Sequence, residues 1–288
     1  GVKDNILQSG TVNGDISWEL SKFVSWEEMI SASMGNDWGD DPFSGYPGIG
    51  ANVVFDHSTQ RTFTLEKRFG DGVGQAYTYH QFVGCQIDTA TISMTPNEAI
   101  TGSFGFIGQE MTTPASEAGS TYNAAGDAPV MTAPLVTGIE LLSPAGMDNT
   151  DGTPLGTVPA WMTNSCFTGL DLNVNNNLRG IQCIGELGLS DTSFGRFEVS
   201  ATGTLYYYAD EPLDALVSQE EFGLRVTCTD ENGGSYQFFF PRVVFSSATA
   251  LATGTNTDVM TEFSLQMLEW QGDDYAVTMQ LTRDGAAT

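Results

Sequence analysis

The stretch from Phe63 to Glu110 (FTLEKRF-GDGVGQAY-TYHQFVGCQIDTATISM-TPNEAI-TGSFGFIGQE) returns about 160 residues later as Leu224 to Leu268 (LRVTCTD-ENGGS-YQFFFPRVVFSSATAL-ATGTNTDVM-TEFSLQML). Both passages read strand, Gly-rich turn, strand, short polar connection, strand. Ile100, Gly102, Phe104 and Phe106 alternate with Thr101, Ser103 and Gly105, the period of two of a half-buried strand. Gly70, Gly72 and Gly74 around Asp71 supply the positive-φ residues of a hairpin turn. Tyr77 lines up roughly with Tyr236, Phe82 with Val243 and Phe104 with Phe263. A repeat on this scale limits the architecture to two copies of one β unit.

The repeat extends upstream. From Gly14 to Ser21, Ile16, Trp18 and Leu20 alternate with Asp15, Ser17, Glu19 and Ser21, which predicts a strand with one wet face. Ser25 with Glu28 three residues on forms a capping-box pattern. It predicts a helix carrying Trp26, Met29, Ile30 and Met34 on one face and ending at Gly35. The second copy repeats the pair: Gly195 to Ser200 alternates with Phe197 and Val199 inward, and Asp210 caps a helix over Glu211 to Val217. Each copy therefore reads strand, helix, hairpin, strand. Thr163 to Leu178 adds an alternating strand over Leu170, Leu172 and Val174, whose counterpart is expected near or before Asn5 to Leu7.

The expected division is a first β unit over residues 1–111, a connecting segment over 112–163 and a second β unit over 164–288. Within the connection, Ala133 to Leu142 reads as a strand, and Thr278 to Arg283 closes the second unit. A Gly/Pro-rich loop over residues 36–60, read as irregular throughout, belongs to the first unit alone. Its Trp38, Asp40, Asp41, Phe43 and Tyr46 suit either a contact with a neighbouring subunit or a fold back onto their own domain.

The chain holds 36 acidic against 10 basic residues, a net charge of −26. Such a surface repels phosphates, which excludes a nucleic-acid binder that works by charge neutralisation. No apolar run approaches the ~18–20 residues of a membrane-spanning helix. Cys85, Cys166, Cys183 and Cys228 lack CxxC spacing and read as buried free thiols. Only His57 and His80 are present, with no metal-ligand cluster, GxSxG or Walker loop. No catalytic, cofactor-binding or metal-binding residue is predicted.

The runs FTLEKRFGDG…YTYHQFVGCQIDTATISMTPNEAITGSFGFIG and LYYYADEPLDALVSQEEFGLRVTCTDENGGSYQFFFPRVVFSS resemble the tail tube proteins of long-tailed bacteriophages. The resemblance covers most of residues 12–111 and 164–283. It implies a mainly β fold of two repeated β-sandwich units, each with one flanking helix, that forms a β-barrel tube on oligomerisation. It also implies a structural virion protein, assembled in the bacterial host cytoplasm into stacked hexameric or pseudo-hexameric trimeric rings. Tape measure, terminator and distal tail proteins are the implied partners, and DNA passes through an acidic lumen without adhering. Candidate lumen-facing residues, from the polar faces of the alternating strands, are Asp15, Ser17, Glu19, Glu198, Ser200, Glu262, Ser264 and Gln266. Each is equally well an ordinary outward-facing residue. The loop over residues 36–60 is the candidate ring-to-ring contact. The competing reading is a secreted, adhesin-type binding module built from two β-sandwiches.

Overall fold

The computed structural model describes residues 12–39, 53–56, 59–70, 77–119, 127–148, 153–207, 210–252, 254, 258–272 and 276–284. The first half contains β1 (Val12–Glu19), α1 (Val24–Ser33), β2 (Val53–Phe55), β3 (Phe63–Phe69), β4 (Thr78–Met94), β5 (Thr101–Gly108) and β6 (Glu110–Thr112). β7 (Val136–Leu142) leads to β8 (Phe167–Asn175) and the short hairpin of β9 (Arg179–Ile181) and β10 (Asp191–Ser193). Then come β11 (Glu198–Tyr206), α2 (Glu211–Ser218), β12 (Phe222–Thr229), β13 (Ser235–Leu251) and β14 (Met260–Met267). β15 (Trp270–Gln271), β16 (Ala276–Val277) and β17 (Gln280–Arg283) close the chain.

One curled, half-barrel sheet of antiparallel strands runs in the order β1-β5-β4-β8-β11-β14-β13-β12-β7. The same pairing scheme occurs in both halves. β1 pairs β5, β5 pairs β4 and β4 pairs β3, as β11 pairs β14, β14 pairs β13 and β13 pairs β12. The registers match as well: Leu65 faces Phe82 where Leu224 faces Phe240, and Ala90 faces Phe104 where Ala248 faces Phe263. Even the irregularities correspond, with shifts at Ile87/Thr89 and at Phe245/Ser247. Phe104 thus matches Phe263 as read from sequence. The counterpart of Phe82 is Phe240 instead of Val243, and Ser235 instead of Tyr236 corresponds to Tyr77. Backbone pairing, not side-chain likeness, sets these correspondences.

β8 joins the halves by pairing β4 on one edge and β11 on the other. The alternation read from sequence decides which face is buried. Trp18, Phe104, Ile92, Leu172, Ala201, Leu265 and Phe245 lie on the covered side in one core that also takes in Ile30 and Met34 around α1. Trp18 lies over Gly102, its cross-strand partner, and stacks on Phe104 with ring centroids 5.0 Å apart. A Cβ on Gly102 would meet the Thr91 carbonyl oxygen at 2.2 Å, so the close approach requires glycine.

Several expectations are corrected. α1 starts at Val24 with Phe23 as its N-cap and no side-chain cap, because Glu28 is bound by Arg61 instead of reaching back to the helix start. Gly35, at φ +67°, takes the left-handed conformation just past its end. Asp210 is the N-cap of α2, but its carboxylate accepts from the Tyr207 hydroxyl at 2.6 Å. The loop over residues 36–60 contains β2, which pairs β17 of the other half. Cys85 and Cys228 are buried free thiols, whereas Cys166 and Cys183 are exposed. Burial raises both buried thiols, Cys228 to about 12.

Two polar ties lock the halves together. The Tyr236 hydroxyl on β13 donates to Glu27 of α1 at 2.8 Å, and Arg283 of β17 pairs with the same buried carboxylate. Arg283 also lies over the Trp38 ring, 4.2 Å from its centroid, and the Trp38 indole N–H donates to the Glu27 carbonyl at 3.2 Å. Asp56, just after β2, accepts from the backbone N–H groups of Thr278 and Met279 at 2.8 and 2.7 Å. Burial outweighs these bonds and pushes its carboxyl up to about 6 from an ordinary 3.8.

Two outcomes are expected. Glu27→Ala removes the carboxylate that Tyr236 and Arg283 share, at a cost of ~3–5 kcal/mol in denaturant unfolding. For Asp56, a carboxyl that binds its proton more tightly when folded adds stability below its ordinary range, and that stability is lost as pH rises through about 6. Asp56→Asn keeps the oxygen that accepts both amides but cannot ionise. Wild type should therefore lose up to ~3 kcal/mol relative to this variant between pH ~4 and ~7, as read by urea titrations.

Candidate functional site

The uncovered face of the sheet carries rows of polar residues that cross from strand to strand. One cross-strand row runs Glu19, Thr101, Ser93, Asp171, Thr202, Ser264, Ser247 through seven successive strands. The next runs Ser17, Ser103, Thr91, Asn173, Ser200, Gln266, ending on Val244. A third runs Asp15, Gly105, Thr89, Asn175, Glu198. Glu262 sits between Thr204 and Thr249 at the other end. Because the side-chain period is two, every residue of these rows points away from the core once the apolar set is buried.

All eight residues singled out from the sequence as candidates for a common surface, from Asp15 to Gln266, therefore lie on one face of one sheet. Asp15, Ser17, Glu19, Glu198 and Glu262 are exposed, and Ser200, Ser264 and Gln266 are half-buried. Sequence reasoning missed the β4 and β8 contributions: Thr89, Thr91, Ser93, Asp171, Asn173 and Asn175. Their signal was present, since each alternates with a residue already assigned inward on β8 or with Ala90, Ile92 and Met94 on β4.

The chemistry of this face is that of short hydroxyl, amide and carboxylate groups. Thr91 and Ser103 share a hydroxyl hydrogen bond of 2.8 Å, and the Ser93 hydroxyl donates to Asp171. Asp15, Glu19, Asp171, Glu198 and Glu262 supply negative charge, and no Lys, Arg or aromatic residue occurs in the three rows. Such a surface offers a polyanion neither counter-charge nor a stacking platform. Beyond the Glu198 end, a cleft of about 430 Å³ is lined by Asp56, Arg196, Glu198, Gln266 and Glu269. Among the described residues, no group of three His, Cys, Asp or Glu side chains could hold a metal ion.

The strands that carry the polar rows end on one-sided edges. Among the described residues, β1 pairs only β5, and the segment Ser247–Leu251 of β13 pairs only β14. Of the residues read as a ring-to-ring contact, Trp38 is engaged within its own chain, as described above, while Asp40, Asp41, Phe43 and Tyr46 lie outside the described residues. No helix is long and apolar enough to cross a membrane among the described residues.

No curated protein matches the sequence. The family model described as "Phage tail tube protein" matches residues 1–272, nearly the whole chain. The chain therefore belongs to the phage tail tube protein family, a structural component of the virion tail.

Proposed function

We propose that this chain is a tube subunit with no catalytic role, whose polar face lines a channel through which DNA passes. The observation that carries the reading is the polar face: cross-strand rows over as many as seven adjacent strands that hold four carboxylates and no cation, with Glu262 beside them. DNA phosphates near such a wall gain nothing by stopping, so the genome moves without binding. The eight residues named from the sequence, joined by Asp171 and its β4 and β8 neighbours, form the lumen surface in this reading.

The two halves are copies of one unit, bounded near residues 1–111 and 164–288, with the segment 112–163 between them. Matching pairings, registers and bulges support the duplication. The one-sided edges of β1 and β13 support sheet continuation into neighbouring chains, since an unpaired edge exposes a row of amide and carbonyl groups. Three chains would then close a ring with sixfold character. Rings stack into the tube, and tape measure, terminator and distal tail proteins meet its ends. The sandwich-type adhesin has no observation in its favour.

Negative-stain electron microscopy over a concentration series should show rings or hollow tubes with a central channel. A wild-type chain that remains monomeric at all concentrations, even with the other tail proteins present, would overturn the reading. The lumen assignment has its own test. Virions carrying Glu19→Lys, Glu198→Lys and Glu262→Lys should assemble normally yet eject DNA ~10-fold or more slowly, because three cations on each face give phosphates places to bind. Normal ejection would remove these residues from the channel.

A further inference from the structure

Corresponding surfaces of the two halves differ sharply in burial. On the β12–β13 hairpin, Leu224, Val226 and Cys228 face Phe240, Phe238 and Tyr236, and all six are buried. This face meets α1 through the Tyr236–Glu27 bond. On the β3–β4 hairpin the same register holds Leu65, Lys67 and Phe69 opposite Phe82, His80 and Thr78. Here Lys67, Phe69 and Thr78 are exposed and the others half-buried, with Phe69 49% accessible and its ring tilted against His80, centroids 4.9 Å apart.

The helices show the complementary difference. α1 and α2 begin at the same spacing after β1 and β11, so Glu27, Ile30 and Ser31 correspond to Asp214, Val217 and Ser218. Glu27, Ile30 and Ser31 are buried. Asp214, Val217 and Ser218 are exposed, with Val217 at 84%. One hairpin face and one helix face are therefore covered within the chain, and their counterparts are covered only in part, with Lys67, Phe69, Asp214 and Val217 open.

We infer that the open end of the β3–β4 face, around Lys67 and Phe69, docks on α2 of a second copy of this chain, at the position where Tyr236 of β13 meets Glu27 of α1 within it. The charges agree. Lys67 is exposed and, among the described residues, forms no ion pair, while α2 and the residues after it expose Asp214 and Glu220. Phe69 and Val217 supply apolar surface at matching positions. Donor and acceptor surfaces lie in different halves, so the contact is head-to-tail and propagates around a ring. The inference rests on the tube-subunit reading and adds to it the side-chain surfaces that select the neighbour.

The test uses full-length chains carrying Phe69→Ser or Val217→Lys, followed by light scattering and electron microscopy over a concentration series. Both positions are exposed in the monomer, so melting temperatures should match wild type. Should either variant unfold, Lys67→Glu and Asp214→Lys replace it. Each variant should need a concentration ~10-fold or more above wild type to assemble, from the apolar area lost at the contact. Below that threshold, mixing the two variants should give a one-to-one complex that stops growing, because one chain keeps its hairpin and the other its helix. Assembly of either variant at the wild-type threshold would overturn the docking inference while leaving the tube reading intact. Failure of the wild type itself to assemble would instead remove the reading on which it rests.

Discussion

Backbone pairing along both edges of β8 is the constraint on which the rest of the molecule depends. Each edge is an antiparallel ladder, one to β4 and one to β11, and together they fix how far one half is displaced from the other. A slip of one residue on either side would turn Asp171, Asn173 and Asn175 into the core and Leu170, Leu172 and Val174 out to water. The apolar set on the covered side thus enforces the register, and the register aligns the polar rows across both halves. Without β8 there would be two small β units with two separate polar faces.

The long strands β4 and β13 solve a second problem. Each serves the polar-faced sheet with its C-terminal part and a hairpin with its N-terminal part. The register shift near the middle of each strand lets it leave one set of partners and join another, the usual effect of a bulge on strand direction. Polar ties then hold what the bulges re-aim. Glu27 collects Tyr236 and Arg283 from the second half, and Asp56 anchors β2 against the last strand. Neither tie joins residues that are close in sequence.

That long-range character separates what was legible in the sequence from what was not. Strand identity was legible wherever apolar and polar residues alternated, as in β1, β5, β8, β11 and β14, because period two carries both the element type and its buried face. The like order of elements in the two halves was legible as well. The pairing of Phe82 with a counterpart was misread by three positions, because Phe240 lies in a run of three phenylalanines whose register only the partner strand Leu224 settles. The capping box at Ser25 failed for a similar reason: Arg61, 33 residues away, takes the Glu28 side chain. β2 was missed because its pairing partner, β17, lies at the far end of the chain.

The shared register with unshared side chains has an evolutionary consequence. At corresponding points of the two hairpins the backbone is held alike, yet one carries Val226 and the other Lys67, one Phe238 and the other His80. A protein with a single such unit per chain must use one surface for every neighbour, so a substitution that improves one joint alters all of them. With two like-paired halves in one chain, a substitution in one hairpin leaves the side chains of the other as they are. One hairpin thus carries a buried apolar face within the chain, where the like-held backbone of the other carries exposed and charged side chains.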